Sequence, residues 1–538
     1  MVAKAKEIDG FDKDTILSDL ENEKRSDVRI LLIIVDFLYT QCILDIVKEL
    51  EADFKTEGNR HYPRLLLLGV LLFCFSRKIY KYEDIIRQCK ENRFLRLFTR
   101  GAEPCQSTFR NFLNENKSDQ FRKIFLYKLV RFNDYHLLKF LHYFVDSSPA
   151  IVRGSKFYKI YRIEIEGLKF MKKHKILHNG KKKSMNRSIN KLFQLRQENI
   201  ENEKTVELID VILTRIQIYN HRIYRKLDEF EEALNNSNKD FVCITYPNAP
   251  LIPLKSKKWD FAKNLQMAVS DNNTIIGSIF INDPDDSHAL EKLIPELEKN
   301  FKMLADLVEK YGTRNNTTEI KKLIKQAMII CDSGYDKEAN IVYLEENDLR
   351  SLIMPNISAR TINYQMKKHD KQKEIMSQEI INLLLENQNT EEIRDKRELK
   401  IIRNGYSCKH GGSILCWEVT PIEKEIAKGL PEQATQFLFK YNCDNINCPY
   451  RESCKYKSFS EKIKLYSFES RNKFTQEFYK NLYMQRLQKS ESLFGYFEGI
   501  IGVLYLMGNN DLAISNEMDL RNTIYNMIHF VEMKGTIC

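Results

Sequence analysis

The 538-residue sequence predicts an α/β core behind a helical N-terminal domain, with a helical insert and a cysteine-rich insert interrupting the core. Three observations carry this. Apolar residues recur at helical spacing through the first 140 positions. Two apolar runs, HYFV before Asp146 and AMIIC before Asp332, read as buried strands that each end in an acid. Strand-like and helix-like stretches alternate between 261 and 355, the pattern of an α/β sheet.

The length exceeds one ordinary domain, and a hydrophobic content of 43% allows a sizeable core. Lys and Arg number 85 against 74 Asp and Glu, a net charge of +11. That balance suits a polyanionic partner, although lysine-rich surfaces also serve solubility alone. Met1 to Arg29 is polar and mixed in charge, without the apolar stretch of a secretory signal. The longest apolar run, Leu65 to Phe75, falls short of the roughly 20 residues needed to span a bilayer, so a buried helix and no membrane partner are expected. Twelve cysteines without a signal point to a reducing, cytoplasmic compartment. Cys42, Cys74, Cys89, Cys105, Cys243 and Cys331 sit among apolar neighbours and are expected in the core.

Residues 1–140 form the expected helical domain. Ile30, Leu32, Ile34, Phe37, Leu38 and Ile43 mark its first helices, Pro63 opens a long apolar helix, and Tyr80 to Thr99 continues at helical spacing. In RGAEPCQSTFRNFLNEN, Ser107 is positioned to cap a helix whose first exposed turns hold Arg110 and Asn111. This helix–turn–helix reads either as a DNA reader or as plain packing. Residues 141–168 begin the core with the strand ending at Asp146, and 169–240 form a basic helical insert. Its lead-in, including Lys181, Lys182 and Lys183, is a candidate contact for the DNA backbone or a solvated face. Ile209, Ile212 and Ile216, then Leu227, Phe230 and Leu234, predict a long helix or helix pair over 185–236. Residues 241–357 supply core strands: 261–271 and 273–283 joined by a turn at Asp271-Asn272-Asn273, then 327–336 with Asp332, and 351–355. Residues 358–400 read as charged helix and linker, 401–462 as cysteine-rich loop, and 463–538 as closing core helices with Glu491.

Phosphodiester transfer by two metals requires hard oxygen ligands from several elements converging beyond the carboxyl ends of strands. Asp146 and Asp332 each follow an apolar run, where a partly buried carboxylate favours a cation. Alone, either reads as a turn or capping residue; the pair at equivalent strand ends is the stronger signal.

At this point the sequence resembles the bacterial insertion-sequence DDE transposases, in the subgroup with a helical N-terminal domain and four cysteines before the final Glu. The resemblance spans about residues 60 to 535. It rests on YPRLLLLGVLLFCFSRKIYKYEDIIRQCKEN with PCQSTFRNF, and on KNLQMAVSDNNTIIGSIFINDPDD with its Asn264-x-Gln266 pair. It rests also on CDSGYDKEANIVYLEENDL and, most specifically, on Tyr483-x2-Arg486-x4-Glu491 followed by Phe494-Gly495. The resemblance implies a ribonuclease H-like core with Asp146, Asp332 and Glu491 as catalytic acids binding Mg2+ or Mn2+. It implies that Tyr483 and Arg486 touch DNA phosphate near them. Transposon ends and target DNA are the implied partners, with a homodimer or larger assembly on DNA in a bacterial, nucleoid-associated setting. Two departures stand out. Glu498 occupies a position where the family often has a DNA-contacting Lys, and SSPAIVRGSK after Asp146 differs from the family's wording.

Cys408, Cys443, Cys448 and Cys454, which the family matches, read either as a four-thiolate zinc site or as free reduced thiols, with His410 and Cys416 in reserve. Three functions remain open: a cutting and joining transposase, a decayed or repurposed copy that only binds DNA, and a nuclease of the same core that does not join strands.

Overall fold

The computed structural model describes residues 11–21, 26–52, 61–114, 118–138, 140–152, 159–219, 221–236, 239–254, 258–314, 316–355, 400–402, 405–408, 410–498 and 504–537. The segment expected as charged helix and linker, 358–400, lies outside the described residues except at Lys400. The described strands in chain order are β1 His142–Ile151, β2 Lys159–Tyr161, β3 Phe241–Cys243, β4 Leu251–Pro253, β5 Trp259–Ser270, β6 Ile275–Ile281 and β7 Met328–Cys331. They continue with β8 Ser351–Ile353, β9 Lys400–Ile402, β10 Gly405–Ser407, β11 Ser413–Pro421, β12 Gln436–Cys443, β13 Ser458–Lys464 and β14 Leu504–Tyr505. The largest sheet has the order β4-β5-β1-β7-β8, with β6 beside β5 and β14 beside β1. The chain divides into two compact units, one of Met1–Arg122, Ser148–Leu265 and Glu498–Ile524, the other of Lys123–Ser147, Gln266–Phe497 and Tyr525–Cys538.

In the first unit, the N-terminal residues form helices as their apolar spacing predicts. Arg64–Ser76 starts after Pro63, whose fixed φ suits a helix entry, and is buried from Arg64 to Phe75. The expected continuous helix over 80–99 is instead two, Tyr82–Glu91 and Arg93–Thr99. Asn92 divides them because its side chain accepts from the backbone N–H groups of Phe94 and Leu95 at 3.1 and 3.0 Å, an N-cap that periodicity alone does not reveal. Helix Gln106–Leu113 is preceded by Cys105, so Ser107 falls in its first turn and not at the cap. Cys105 is exposed, contrary to its expected place in the core, while Cys42, Cys74, Cys89, Cys243 and Cys331 are buried.

The same unit holds the basic insert. It forms helices Arg162–Lys173, Lys182–Glu198, Glu203–Arg215, His221–Tyr224 and Leu227–Asn235, more pieces than the expected helix pair. They close around Leu168, Leu192, Ile209, Ile212 and Phe230, against the antiparallel ribbon β2–β3. Among the described residues no single helix is long and apolar enough to cross a membrane.

In the second unit, the first half of β1 pairs in parallel with β7, and β7 with β8. The turn at 271–273 joins β5 to β6 as expected, with Asn273 in the left-handed region at φ 63°. Helix Ala289–Tyr311 packs so closely on β6 that a Cβ at Gly277 would meet Leu297 Cδ2 at 2.4 Å. The expected loop at 401–462 is in fact a five-stranded antiparallel sheet of order β13-β12-β11-β10-β9. Tyr406, Ile414, Phe439, Tyr441, Tyr456 and Ile463 make its core, and Phe437, Phe459 and Phe468 pack against it. Aromatic residues alternating with Lys, Glu and Asn supply a half-buried sheet that overall composition conceals.

Candidate active site

β1 and β7 run side by side with Phe144 opposite Ile330, and Asp146 and Asp332 each follow two residues beyond that pair. Adjacent strands lie about 4.8 Å apart, and period-2 alternation puts each acid on the face of the apolar residue two before it. Phe144, Ile330, Leu352 and Met354 on that face are covered by Phe474, Leu482 and Tyr483. Leu482 and Tyr483 belong to helix Glu477–Arg486, and Arg486, one turn beyond Tyr483, reaches Asp146. Its Nη1 lies 2.9 Å from Asp146 Oδ2, with Arg486 only 5% exposed. Asp146 was expected at a strand end. The strand instead continues to Ile151, pairing Ala150 with Leu504 of β14, because SSPAI keeps an extended backbone without an apolar run.

Asp332 follows β7 and caps the short 3-10 turn Ser333–Tyr335, accepting from Gly334 N–H at 2.8 Å. Burial, and next the charge of Asp146, push its carboxyl up to about 6; Arg486 and the Gly334 N–H work against that rise. Burial opposes the Arg486 charge, but Asp146, Tyr483 and Asp332 outweigh it and hold the guanidinium protonated.

A third acid, Asp286, enters the site from the segment after β6. Its Oδ2 accepts from Ser147 Oγ at 3.0 Å and its Oδ1 from Gln266 Nε2 at 2.7 Å. Gln266 in turn accepts from the Tyr335 hydroxyl, and Asn340 ties the Asp286 and Tyr335 carbonyls at 2.7 and 3.1 Å. A Cβ on Gly334 would meet Asp286 Oδ2 at 2.9 Å and Asp332 Oδ1 at 3.0 Å, so both carboxylates flank one glycine that leaves room for no side chain. Sequence reasoning passed over Asp286, which sits in a polar Asn-Asp-Pro-Asp-Asp loop with nothing to distinguish it from Asp283 or Asp285.

Tyr483 and Arg486 are both buried. The helix does not continue unbroken to Glu491: Leu487–Glu491 is a π turn, followed by helix Ser492–Glu498. In α-helical geometry residues five apart face different ways, whereas the i→i+5 bonding of a π turn stacks position 491 one turn above position 486. The Glu491 side chain lies outside the described structure. Glu498 accepts from Ser148 Oγ at 2.7 Å.

Among the described residues no group of three or more His, Cys, Asp or Glu side chains is gathered so as to hold a metal ion. In the smaller sheet, Cys408 and Cys443 come together: a Cβ on Gly412 would meet their sulfurs at 3.3 and 2.8 Å, and Gly412 N–H points to Cys408 Sγ at 3.3 Å. Cys454 and Cys416 pack against the same aromatic core. Elsewhere, Lys181, Lys182 and Lys183 are exposed at the start of helix Lys182–Glu198, and Arg110 is partly buried within Gln106–Leu113.

Residues 17–115 match the family described as "Transposase domain (DUF772)". The match covers the N-terminal helices and supports a transposase role for the chain. No curated protein and no solved structure matches it.

Proposed function

We propose that the chain is a DDE-type insertion-sequence transposase that cuts DNA at transposon ends and joins the freed 3′-hydroxyl to target DNA. The observation that carries this reading is Asp146 and Asp332, each two residues beyond the paired Phe144 and Ile330 of adjacent parallel strands, with a buried arginine held against Asp146 by the covering helix. The order β6-β5-β1-β7-β8 supports a ribonuclease H-like core, and the match at 17–115 supports the transposase assignment.

Asp146 and Asp332, with Glu491 as the resemblance implies, would hold Mg2+ or Mn2+. Such ions, when bound, activate the attacking oxygen and steady the leaving one. Two carboxylates close enough to raise the proton affinity of one suit a cation, which relieves their repulsion. The chain's own groups prepare the site. Gly334 N–H orients Asp332, the Asp286–Gln266–Tyr335 network fixes Ser147 beside Asp146, and Arg486 supplies a fixed positive charge for a phosphate oxygen. Lys181–Lys183 at a helix start, where free backbone N–H groups add to their charge, and Arg110 would bind the DNA backbone outside the site. Assembly as a homodimer or larger on DNA belongs to the same reading.

The test uses a plasmid carrying the DNA that flanks the gene. The wild-type protein with Mn2+ nicks it at the element ends. Asp332→Asn is expected to lower cleavage by at least about a thousandfold, a loss of some 4 kcal/mol of transition-state stabilisation, while retaining binding of the same DNA. Cleavage by Asp332→Asn at the wild-type rate contradicts the assignment.

A further inference from the structure

We propose that a cleft in the first unit, lined by Lys159, Tyr161, Arg215, Leu251, Lys258 and Trp259, binds an unpaired strand of DNA, stacking a base on the two aromatic rings and holding its phosphates with the lysines. The proposal rests on the reading of the chain as a DNA-processing protein and adds a site to it that the carboxylates do not explain.

Trp259 is 54% exposed and Tyr161 42%, and both rings face the same cleft. Local structure presents both. The β2–β3 ribbon sets Tyr161 opposite Phe241 with ring centroids 5.6 Å apart, and the β4–β5 pairing sets Trp259 opposite Pro253. The charged residues that line the cleft have one sign. Of the residues lining the cleft, three are cations and none is an acid. Arg215 is already committed, to Glu164 at 2.6 Å and to the Lys159 carbonyl at 2.9 Å, and so frames the wall. Lys159 stands over the Phe241 ring at 4.1 Å, and Lys239 donates to the Leu251 carbonyl at 3.1 Å. Burial, and then the nearness of Lys159, lower the proton affinity of Lys239.

Exposed aromatic rings interleaved with lysines are the chemistry of a single-strand platform, because every base has a face to stack and every linkage a charge to neutralise. A volume of about 670 Å³ accommodates a nucleotide, and a base still paired within a duplex does not offer its face to such a cleft. Cutting and joining of DNA ends is a reaction class that exposes unpaired strands, so the occupant is a segment of DNA strand.

The chain has two tryptophans, Trp259 and Trp417, so Trp417→Phe leaves Trp259 as sole reporter. Titration of that variant with a 12-nucleotide single strand is expected to quench its fluorescence. By anisotropy of a labelled strand, Trp259→Ala weakens single-strand binding about tenfold and Trp259→Phe, which keeps a stacking ring, much less. Lys159→Ala with Lys258→Ala lowers the slope of log affinity against log salt by about 1.4. Duplex binding is unchanged in all of these variants. Equal quenching by a duplex, or by thymidine monophosphate at like concentration, overturns the strand assignment. Absence of quenching while duplex DNA still binds overturns the cleft proposal and leaves the transposase reading standing. Loss of all DNA binding by folded wild-type protein defeats both.

Discussion

Asp332 is the residue where function and stability oppose one another. Its carboxyl, raised to about 6 by burial and by Asp146, holds a proton in the folded chain that the unfolded chain releases near 3.8. Between those values the native state binds more protons, so stability falls as pH rises from about 4 to about 6, and the cost is fully present above the folded value. With screening at a partly exposed group, that cost is about 2 kcal/mol. Asp332→Asn removes the charge yet keeps an acceptor for Gly334 N–H. The metal-free variant is therefore expected to be more stable than wild type at pH 7.5 by about that amount and nearly equal to it at pH 4. Urea unfolding at the two pH values measures this, and equal or lower stability of the variant at pH 7.5 contradicts the raised carboxyl. The two acids were legible in the sequence because each follows an apolar run. Asp286 was not, since its place depends on partners at Ser147 and Gln266 that are 139 and 20 residues away in the chain.

At the scale of elements, spacing served where periodicity is strong and failed where a local capping bond or a diluted strand pattern decides. Asn92 splits a helix through two side-chain bonds, and the π turn at Leu487–Glu491 changes which positions stack without any change in residue type. The smaller sheet was read as loop because charged residues interleave its aromatic ones; pairing of β11, β12 and β13 supplies burial that composition does not display. Packing on Phe439, which is fully buried, should then hold this sheet. Phe439→Ala is expected to cost about 3–5 kcal/mol in urea unfolding. Treatment with a strong chelator should leave the near-ultraviolet dichroism of its tyrosines in place. A cooperative loss of that signal on chelation would instead assign the stability to a zinc held by Cys408, Cys443, Cys448 and Cys454.

For the whole molecule, the helical N-terminal region and the strand–helix alternation were readable, because both follow from apolar periodicity over long stretches. The excess of 11 positive charges gives a further expectation. If Lys181–Lys183 and Arg110 bind phosphates, affinity for duplex DNA falls steeply with salt, with a log–log slope near −3.6 for four neutralised phosphates. An affinity that stays flat from low to physiological salt contradicts a phosphate-dominated interface. If Asp146 and Asp332 form a divalent-cation site, calorimetric titration of the whole protein with Mn2+ reads it without a DNA substrate. Binding at pH 7.5 is expected to weaken markedly at pH 5, where protons compete at Asp332, and to be lost in both Asp146→Asn and Asp332→Asn. Mn2+ binding of unchanged affinity and stoichiometry in both variants would contradict it.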